Sequence, residues 1–564
     1  ELVMVEEEVT QRDPFADANI LRDTPLTLTD EQSRALAMIT ADQDKDQRHT
    51  ILLYGVTGSG KTEVYLQAIA RSLERGRDAI VLVPEISLTP QTSARFRARF
   101  GDQVSVLHSH LSDGERFDEW MRIHDGTVHV VVGARSALFA PFRNLDLIIV
   151  DEEHETSYKQ SEMPPRYHAR DVAVVRGQRE GATVVLGSAT PSLESFYNAQ
   201  QGKYHVTRLT RRVSDRPMPS REIVDMAQAK EKAGQPCLLS DRLKTMTNEA
   251  LSRGEQAIYF LNRRGYAPQL RCLDCGYVAE CEDCAVKMTY HRYKELLLCH
   301  ICGAVRRLPT ACPKCGREDL HYGGLGTEKI EAVVGGVFPH ARVLRMDSDT
   351  MTRKHAYRDA LARFRAGEID ILVGTQMIAK GLDFPNVTLV GIIFADLGLY
   401  IPDFRAGERT LQLLVQVAGR AGRGDCPGHV LVQTYTPWHA ALEAGIRLDY
   451  EGFYEEEIEL REQFGYPPAT HVAAIQLHGP DEAKAEQALN DFADMIAPAL
   501  PDGAELMRPV PGIIPRKRGK YYFQMLILGR RIGTISRILK RARAAFKPGR
   551  DMRLDVNIDP VSSY

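Results

Sequence analysis

Two kinds of hydrophobic spacing alternate along this chain. Short, nearly uninterrupted apolar runs stand at Ile51–Tyr54, Ala79–Val83, Val128–Val132, Leu147–Val150 and Thr183–Leu186. They are too short for buried helices and rich in β-branched residues, so each predicts a strand covered on both faces. Between the first two, Thr62–Leu73 places apolar residues every three or four positions and closes at Gly76, which predicts a helix. This repetition over residues 25–215 implies a parallel sheet with helices on both sides. A second set fills 216–440, with strands at Ala257–Leu261, Arg342–Arg345, Ile371–Val373, Val387–Ile393 and His429–Gln433. A Cys-rich stretch, 268–322, interrupts it after its first strand. Residues 441–564 read as a charged helix bearing Glu455, Glu456, Glu457 and Glu459, then a small α+β domain. Residues 1–24 are acidic and irregular and read as a linker arm.

A length of 564 residues predicts three or four domains. Hydrophobic residues at 43% and charged residues at 26% are ordinary for a globular chain, so disorder is not the default. No apolar run reaches the length of a membrane span, and no signal segment follows Glu1. A cytoplasmic protein is expected, and the chain reads as a fragment or processed product. With 72 basic and 75 acidic residues the net charge is -3, not the excess of a simple nucleic-acid binder. A motor that slides must release phosphates, so total charge does not decide the partner. Eight of the ten cysteines form four Cys-x-x-Cys pairs. In a large chain without a signal segment they predict metal thiolates rather than disulfides.

The strongest chemical signal is Gly55-Val56-Thr57-Gly58-Ser59-Gly60-Lys61-Thr62, set between a predicted strand and a predicted helix. Its backbone N–H groups can wrap phosphate oxygens, with Lys61 toward the β/γ-phosphates of ATP and the Thr62 hydroxyl toward Mg²⁺. Asp151 and Glu152 follow the strand Leu147–Val150 directly, at the sheet edge where ligands bind. Asp151 is expected to hold Mg²⁺ and Glu152 to polarise the attacking water. In the second set, Gln416 precedes Arg420 and Arg423, two arginines read as sharing one helix face and serving as arginine fingers.

In order, Gln32, the phosphate loop, Asp151-Glu152-Glu153-His154, Gly187-Ser188-Ala189-Thr190 and Gln416 to Arg423 resemble the motifs of superfamily 2 DEAH-type helicases. The resemblance implies two RecA-like lobes, with Gln32 on adenine and Gly381 and Asp383 near ribose and γ-phosphate.

The Cys-rich stretch predicts two closed Cys₄ zinc sites. The loop 285–298 between Cys284 and Cys299 fits a hairpin bearing two knuckles. That favours a nested pairing of Cys272, Cys275, Cys312 and Cys315 around Cys281, Cys284, Cys299 and Cys302; sequential pairing would need tighter loops. His291 and His300 are read as flanking groups, not ligands. With both sites filled, the expected fold is α/β: two RecA-like parallel-sheet lobes, a zinc-binding insertion in the second, and a small α+β C-terminal domain.

Arg271-Cys272-Leu-Asp-Cys275-Gly276, Leu298-Cys299-His-Ile-Cys302-Gly303, Phe260-Leu-Asn-Arg-Arg-Gly-Tyr266 and Ile401-Pro-Asp-Phe-Arg-Ala406 resemble the PriA family of bacterial replication-restart DNA helicases. The likeness runs from about Leu26 to Tyr564. It implies 3′-to-5′ travel, remodelling of stalled or repaired forks, and primosome assembly to reload the replicative helicase. It implies as partners fork and single-stranded DNA, single-stranded DNA-binding protein and other primosome proteins; a monomer is expected. The family's 3′-end-binding domain and winged helix do not stand in this sequence, so weakened fork recognition is expected beside an intact motor. An aromatic-rich DNA-coupling loop is implied at 157–170, where Tyr158 and Tyr167 would stack on bases and Lys159, Arg166 and Arg170 would meet phosphates. Arg135 is a further strand-contact candidate. Arg516, Lys517, Arg518, Lys520 and Gln524 are candidates for DNA or for an acidic partner tail. A DNA-bound scaffold with a dispensable ATPase, and an RNA translocase, stay open as alternatives.

Overall fold

The computed structural model describes residues 22–562 apart from 46, 85–89, 110, 214–217, 234–236, 263–269, 273, 285, 292–294, 319, 323–326, 348–349, 352–355, 376–377, 379–383 and 423–425. Residues 1–21 of the linker arm, Gly381, Asp383 and Arg423 therefore lie outside the described residues. The chain divides into two compact units, Glu1–Arg216 and Pro217–Tyr564.

In the first unit, β1 (Thr50–Gly55), β2 (Asp78–Leu82), β3 (Val104–Leu107), β4 (Val130–Gly133), β5 (Leu145–Asp151), β6 (Thr183–Ser188) and β7 (Tyr204–Leu209) form one sheet in the order β3-β4-β2-β5-β6-β1-β7. Every pairing is parallel. This is a RecA-like lobe. The five predicted strands are its central ones, and their continuous apolar runs follow from burial on both faces. The helix Lys61–Glu74 packs Val64, Tyr65, Ala68 and Ile69 against one face. The sequence pattern did not reveal β3 and β7, which close the two edges. β7 is half-exposed and carries polar residues between apolar ones, so it lacks the run that marks its neighbours.

The second unit holds a parallel six-stranded sheet of β8 (Ser220–Asp225), β9 (Gln256–Leu261), β15 (Val343–Met346), β16 (Ile371–Gly374), β17 (Val387–Ile393) and β18 (His429–Thr434), ordered β15-β16-β9-β17-β18-β8. The edge strand β8 was not anticipated, so the Cys-rich insertion follows the second strand of this set rather than the first. Five short strands belong to the insertion: β10 (Leu270–Cys272) pairs with β14 (Leu320–Tyr322), while β11 (Thr289–His291), β12 (Leu296–Leu298) and β13 (Val305–Arg307) form a three-stranded meander. The C-terminal part is an antiparallel sheet of β19 (His471–Gly479), β20 (Glu505–Leu506), β21 (Val510–Lys517), β22 (Lys520–Gly529) and β23 (Arg553–Ile558). Helices Glu482–Ile496 and Ile532–Ala545 supply its core.

The charged stretch after Tyr450 is indeed a helix, Tyr450–Gln463, and it hides one cation. The Arg461 side chain is 2% exposed and donates to Glu408 Oε2 at 2.8 Å and Glu457 Oε1 at 3.0 Å, clamping this helix to Ala406–Ala418. Arg461→Met should destabilise this unit by about 3–5 kcal/mol, because the buried Glu408 carboxylate and that of Glu457 would lose the cation between them. Urea unfolding of the variant checks this; an unshifted midpoint would remove the clamp from the account.

Candidate functional site

The phosphate loop runs from the end of β1 into the helix Lys61–Glu74. Gly60 caps that helix with φ 79°, and a Cβ there would strike Gln32 Nε2, so the turn requires glycine. Val56 N–H donates to Leu209 O at 3.0 Å and Ser59 N–H to Val56 O at 3.1 Å, which holds the loop to β7. Lys61 Nζ donates to Gly55 O at 2.7 Å. Gln32 accepts from Thr29 N–H at 2.8 Å and donates to Ser59 O at 2.8 Å, so its amide joins its own helix cap to the loop. Ser59 Oγ and Glu152 Oε2 are buried with no hydrogen-bond partner among the described residues. Two such atoms flanking a lysine suit a phosphate–magnesium ligand, with Thr62 and Asp151 as the oxygen donors.

Asp151 ends β5, beside β6. Tyr65 donates to Asp151 Oδ1 at 3.0 Å, and Tyr158 donates to Asp151 O at 2.7 Å. Burial, together with the Glu152 charge, raises the Asp151 carboxyl to about 6, while the nearby Lys61 charge opposes the rise. Glu152 adopts φ 48°, a left-handed conformation that costs a glutamate about 1–3 kcal/mol. The strained turn separates three adjacent carboxylates. Glu153 is fully buried and accepts from Ser192 N–H at 2.6 Å and Ser195 Oγ at 2.7 Å; His154 Nδ1 lies 2.8 Å from Ser188 Oγ. Glu153 therefore ties this turn to the segment after β6, and His154 ties it to Ser188 at the end of that strand.

Tyr65 was missed in the sequence. It stands one helical turn after Lys61, and a Cβ at Gly187 would collide with its hydroxyl, so Gly187 makes room for its reach to Asp151. The spacing from Lys61 was the available signal.

The loop after Asp151 corrects three expectations. Tyr158 is 1% exposed, so its ring cannot stack on a base in this conformation. Lys159 is buried and donates to Arg166 O at 3.2 Å. Arg170 is buried among Glu153, Asp171 and Ser192, where it braces the site rather than meeting phosphate. Arg135, Arg166 and Tyr167 are partly exposed. Arg135 donates to Lys159 O at 2.9 Å, its guanidinium lies 5.9 Å from the Tyr167 ring centre, and Phe139 meets Tyr167 edge-on at 5.1 Å.

In the second unit Gln416 is buried on the helix Ala406–Ala418. Arg420 lies beyond its last turn, since Gly419 is the C-cap, so Arg420 does not stand on this helix. Among the C-terminal candidates, Arg516, Lys517, Arg518 and Lys520 are exposed around the β21–β22 turn. Gln524 is corrected: it is 2% exposed and donates to His300 O at 2.9 Å, so it is internal glue.

Eight thiols form the nested clusters, Cys272, Cys275, Cys312 and Cys315 in one, Cys281, Cys284, Cys299 and Cys302 in the other. Sγ separations of 3.7 Å for Cys272–Cys315, 3.5 Å for Cys275–Cys312 and 3.6 Å for Cys281–Cys302 match the edge of about 3.8 Å of a tetrahedron with Zn–S about 2.3 Å. Burial pushes the Cys275 and Cys281 thiols up to about 12, so four thiolates persist at neutral pH only around a cation. His291 and His300 contact each other at 3.0 Å and stay outside both clusters.

Four family models match: DEAD/DEAH box helicase over 29–198, PriA DNA helicase Cys-rich region over 281–307, helicase conserved C-terminal domain over 328–425 and primosomal protein N C-terminal domain over 462–561. Replication restart protein PriA of Bacillus subtilis (strain 168) is 48% identical over 540 residues, covering 96% of this chain and 67% of the relative. The chain belongs to the PriA family. The PriA of Haemophilus influenzae is 40% identical over 564 residues, covering 99% of this chain and 76% of the relative. Among solved structures, RecG bound to a three-way DNA junction aligns with a TM-score of 0.44 at 20% identity, over 79% of this chain and 48% of that one. As a PriA-family protein with both helicase halves, the chain is an ATP-hydrolysing DNA helicase of replication restart that carries two Cys₄ zinc sites. Among the described residues, no helix is long and apolar enough to cross a membrane.

Proposed function

We propose that this chain couples ATP hydrolysis to 3′-to-5′ movement along one strand of a stalled or repaired fork, and that it starts primosome assembly so that the replicative helicase is reloaded. The observation that carries the motor reading is the Asp151–Glu152 turn, bonded to Tyr65 and electrostatically coupled to Lys61. The loop amides of Gly55 to Thr62 hold the phosphates, and Lys61 places a positive charge on the β/γ-phosphates. Thr62 and Asp151 would hold magnesium, which when bound would neutralise phosphate charge. Glu152, whose Oε2 lies 3.7 Å from His154 Nδ1 and accepts no hydrogen bond among the described residues, orients the attacking water. Gln416, Arg420 and Arg423 are assigned to the γ-phosphate, Gln32 to adenine, and Gly381 and Asp383 to ribose and γ-phosphate. The same reading places domain boundaries at 24, 215 and 440, and the sheets described above support the last two.

Arg135, Arg166 and Tyr167 are the groups offered to the strand, and Arg516, Lys517, Arg518 and Lys520 to the acidic tail of single-stranded DNA-binding protein. The protein acts in the cytoplasm as a monomer.

Glu152→Gln tests the hydrolytic role. Turnover with saturating single-stranded DNA should fall at least about a hundredfold while nucleotide binding persists. A variant that turns over near the native rate would displace Glu152 from this role. Fork and single-stranded DNA should stimulate the native ATPase more than RNA does; the reverse would make the chain an RNA translocase.

A further inference from the structure

A second cavity opens at the C-terminal edge of the first sheet. Its volume is about 330 Å³, within the usual range of small-ligand sites. Val83 after β2, Leu107 at the end of β3 and Ala134 after β4 place it on the same edge that carries Asp151. One wall is the helix Asp113–His124, where Arg116 and Trp120 stand one turn apart and face the same way. The opposite side is Arg135, and Tyr158 completes the lining.

The chemistry of this lining is selective. It contains two arginines and a histidine and no carboxylate, so it favours an anion. It also contains an indole that is 39% exposed although it is one of the largest apolar side chains in the unit. An apolar ligand would not call for the guanidiniums, and a bare phosphate would not call for the indole. An aromatic ring attached to a phosphodiester satisfies both.

We propose that this cavity receives one unpaired base of the DNA strand, stacked on Trp120, with the flanking phosphates at Arg116 and Arg135. The proposal rests on the reading that the strand crosses this lobe at Arg135, and it adds a base contact to a phosphate contact. Tyr158, whose hydroxyl donates to Asp151 O at 2.7 Å, also lines this cavity, which brings it within one side chain of the hydrolytic turn.

Trp120 and Trp438 are the chain's two tryptophans, which makes the test direct. In a Trp438→Phe protein, a thymidine oligomer should quench Trp120 fluorescence at saturation. An abasic sugar–phosphate oligomer of equal length should leave the emission near its starting value. In the native background, Trp120→Ala should weaken thymidine-oligomer binding about tenfold and leave abasic-oligomer binding unchanged, and Trp120→Phe should restore most of the loss. Emission that stays constant while anisotropy reports saturated thymidine-oligomer binding would overturn the base pocket. Arg135→Ala checks the underlying reading separately, since it should weaken both oligomers equally. Were it without effect on either, the strand would not cross this lobe, and the pocket assignment would fall with that reading.

Discussion

Lys61→Ala is expected to abolish DNA-stimulated ATP hydrolysis while the protein still binds two zinc ions. Two losses combine in that variant. The β/γ-phosphates lose their point charge, and removing one such preorganised contact commonly costs about 10²–10³ in rate. The Asp151–Glu152 pair also loses the cation that opposes the rise of the Asp151 carboxyl, which leaves two neighbouring carboxylates less compensated. Lys61→Arg does not rescue, because a planar fork replaces a compact ammonium in a loop closed tightly against Gln32. Steady-state hydrolysis with saturating single-stranded DNA, paired with metal analysis, is the measurement. Turnover within a few-fold of native would remove the phosphate loop from the mechanism.

Cys299→Ser is expected to leave one zinc ion per chain and to loosen the C-terminal sheet, far from the substitution in sequence. The inner cluster lies in a shared hydrophobic core with Tyr466, Val472, Ala474, Leu526 and Leu528. Polar bonds reinforce that core: Tyr466 Oη donates to Cys284 O at 3.2 Å, Arg508 Nε to Cys302 O at 2.7 Å, and Gln524 to His300 O. The free energy of structural zinc binding, about 10–16 kcal/mol in isolated fingers, is largely folding free energy, so losing the ion unfastens whatever the knuckles hold. Cys315→Ser, at the exposed member of the outer cluster, also lowers the zinc count to one but spares β19 and β22. Amide exchange along β19 and β22 separates the two variants. Equal protection in Cys299→Ser and native protein would show that the module and the C-terminal sheet are energetically independent.

The insertion is also fastened on its other side. Gly276, at φ 71°, packs so closely on the Tyr435 carbonyl that a Cβ would collide with it. The two-zinc module thus packs against both the end of β18 and the C-terminal sheet.

Legibility in the sequence followed locality. The central strands were readable because strands buried on both faces must be apolar at every position, whereas β7 and β8 close sheet edges with exposed polar positions and lose that mark, and β3 offers only four residues, one of them Ser105. The nested zinc pairing was readable because Cys-x-x-Cys spacing sets a knuckle and loop length limits which knuckles can meet. The helix that carries Gln416 stops at the Gly419 C-cap, one residue before Arg420, a boundary that periodicity alone does not draw.

Sequence by itself determined the chemistry of this protein: a lysine loop after a strand, a carboxylate pair after another, and eight paired thiols, each defined by residues a few positions apart. Tertiary structure alone decided which groups remain available. It buried Tyr158, Lys159, Arg170 and Gln524, which the family resemblance had implied as contacts, and it brought Tyr65 to Asp151 across 86 positions of chain. Exposure and long-range hydrogen bonding depend on the neighbours that folding supplies, and no local pattern encodes those neighbours.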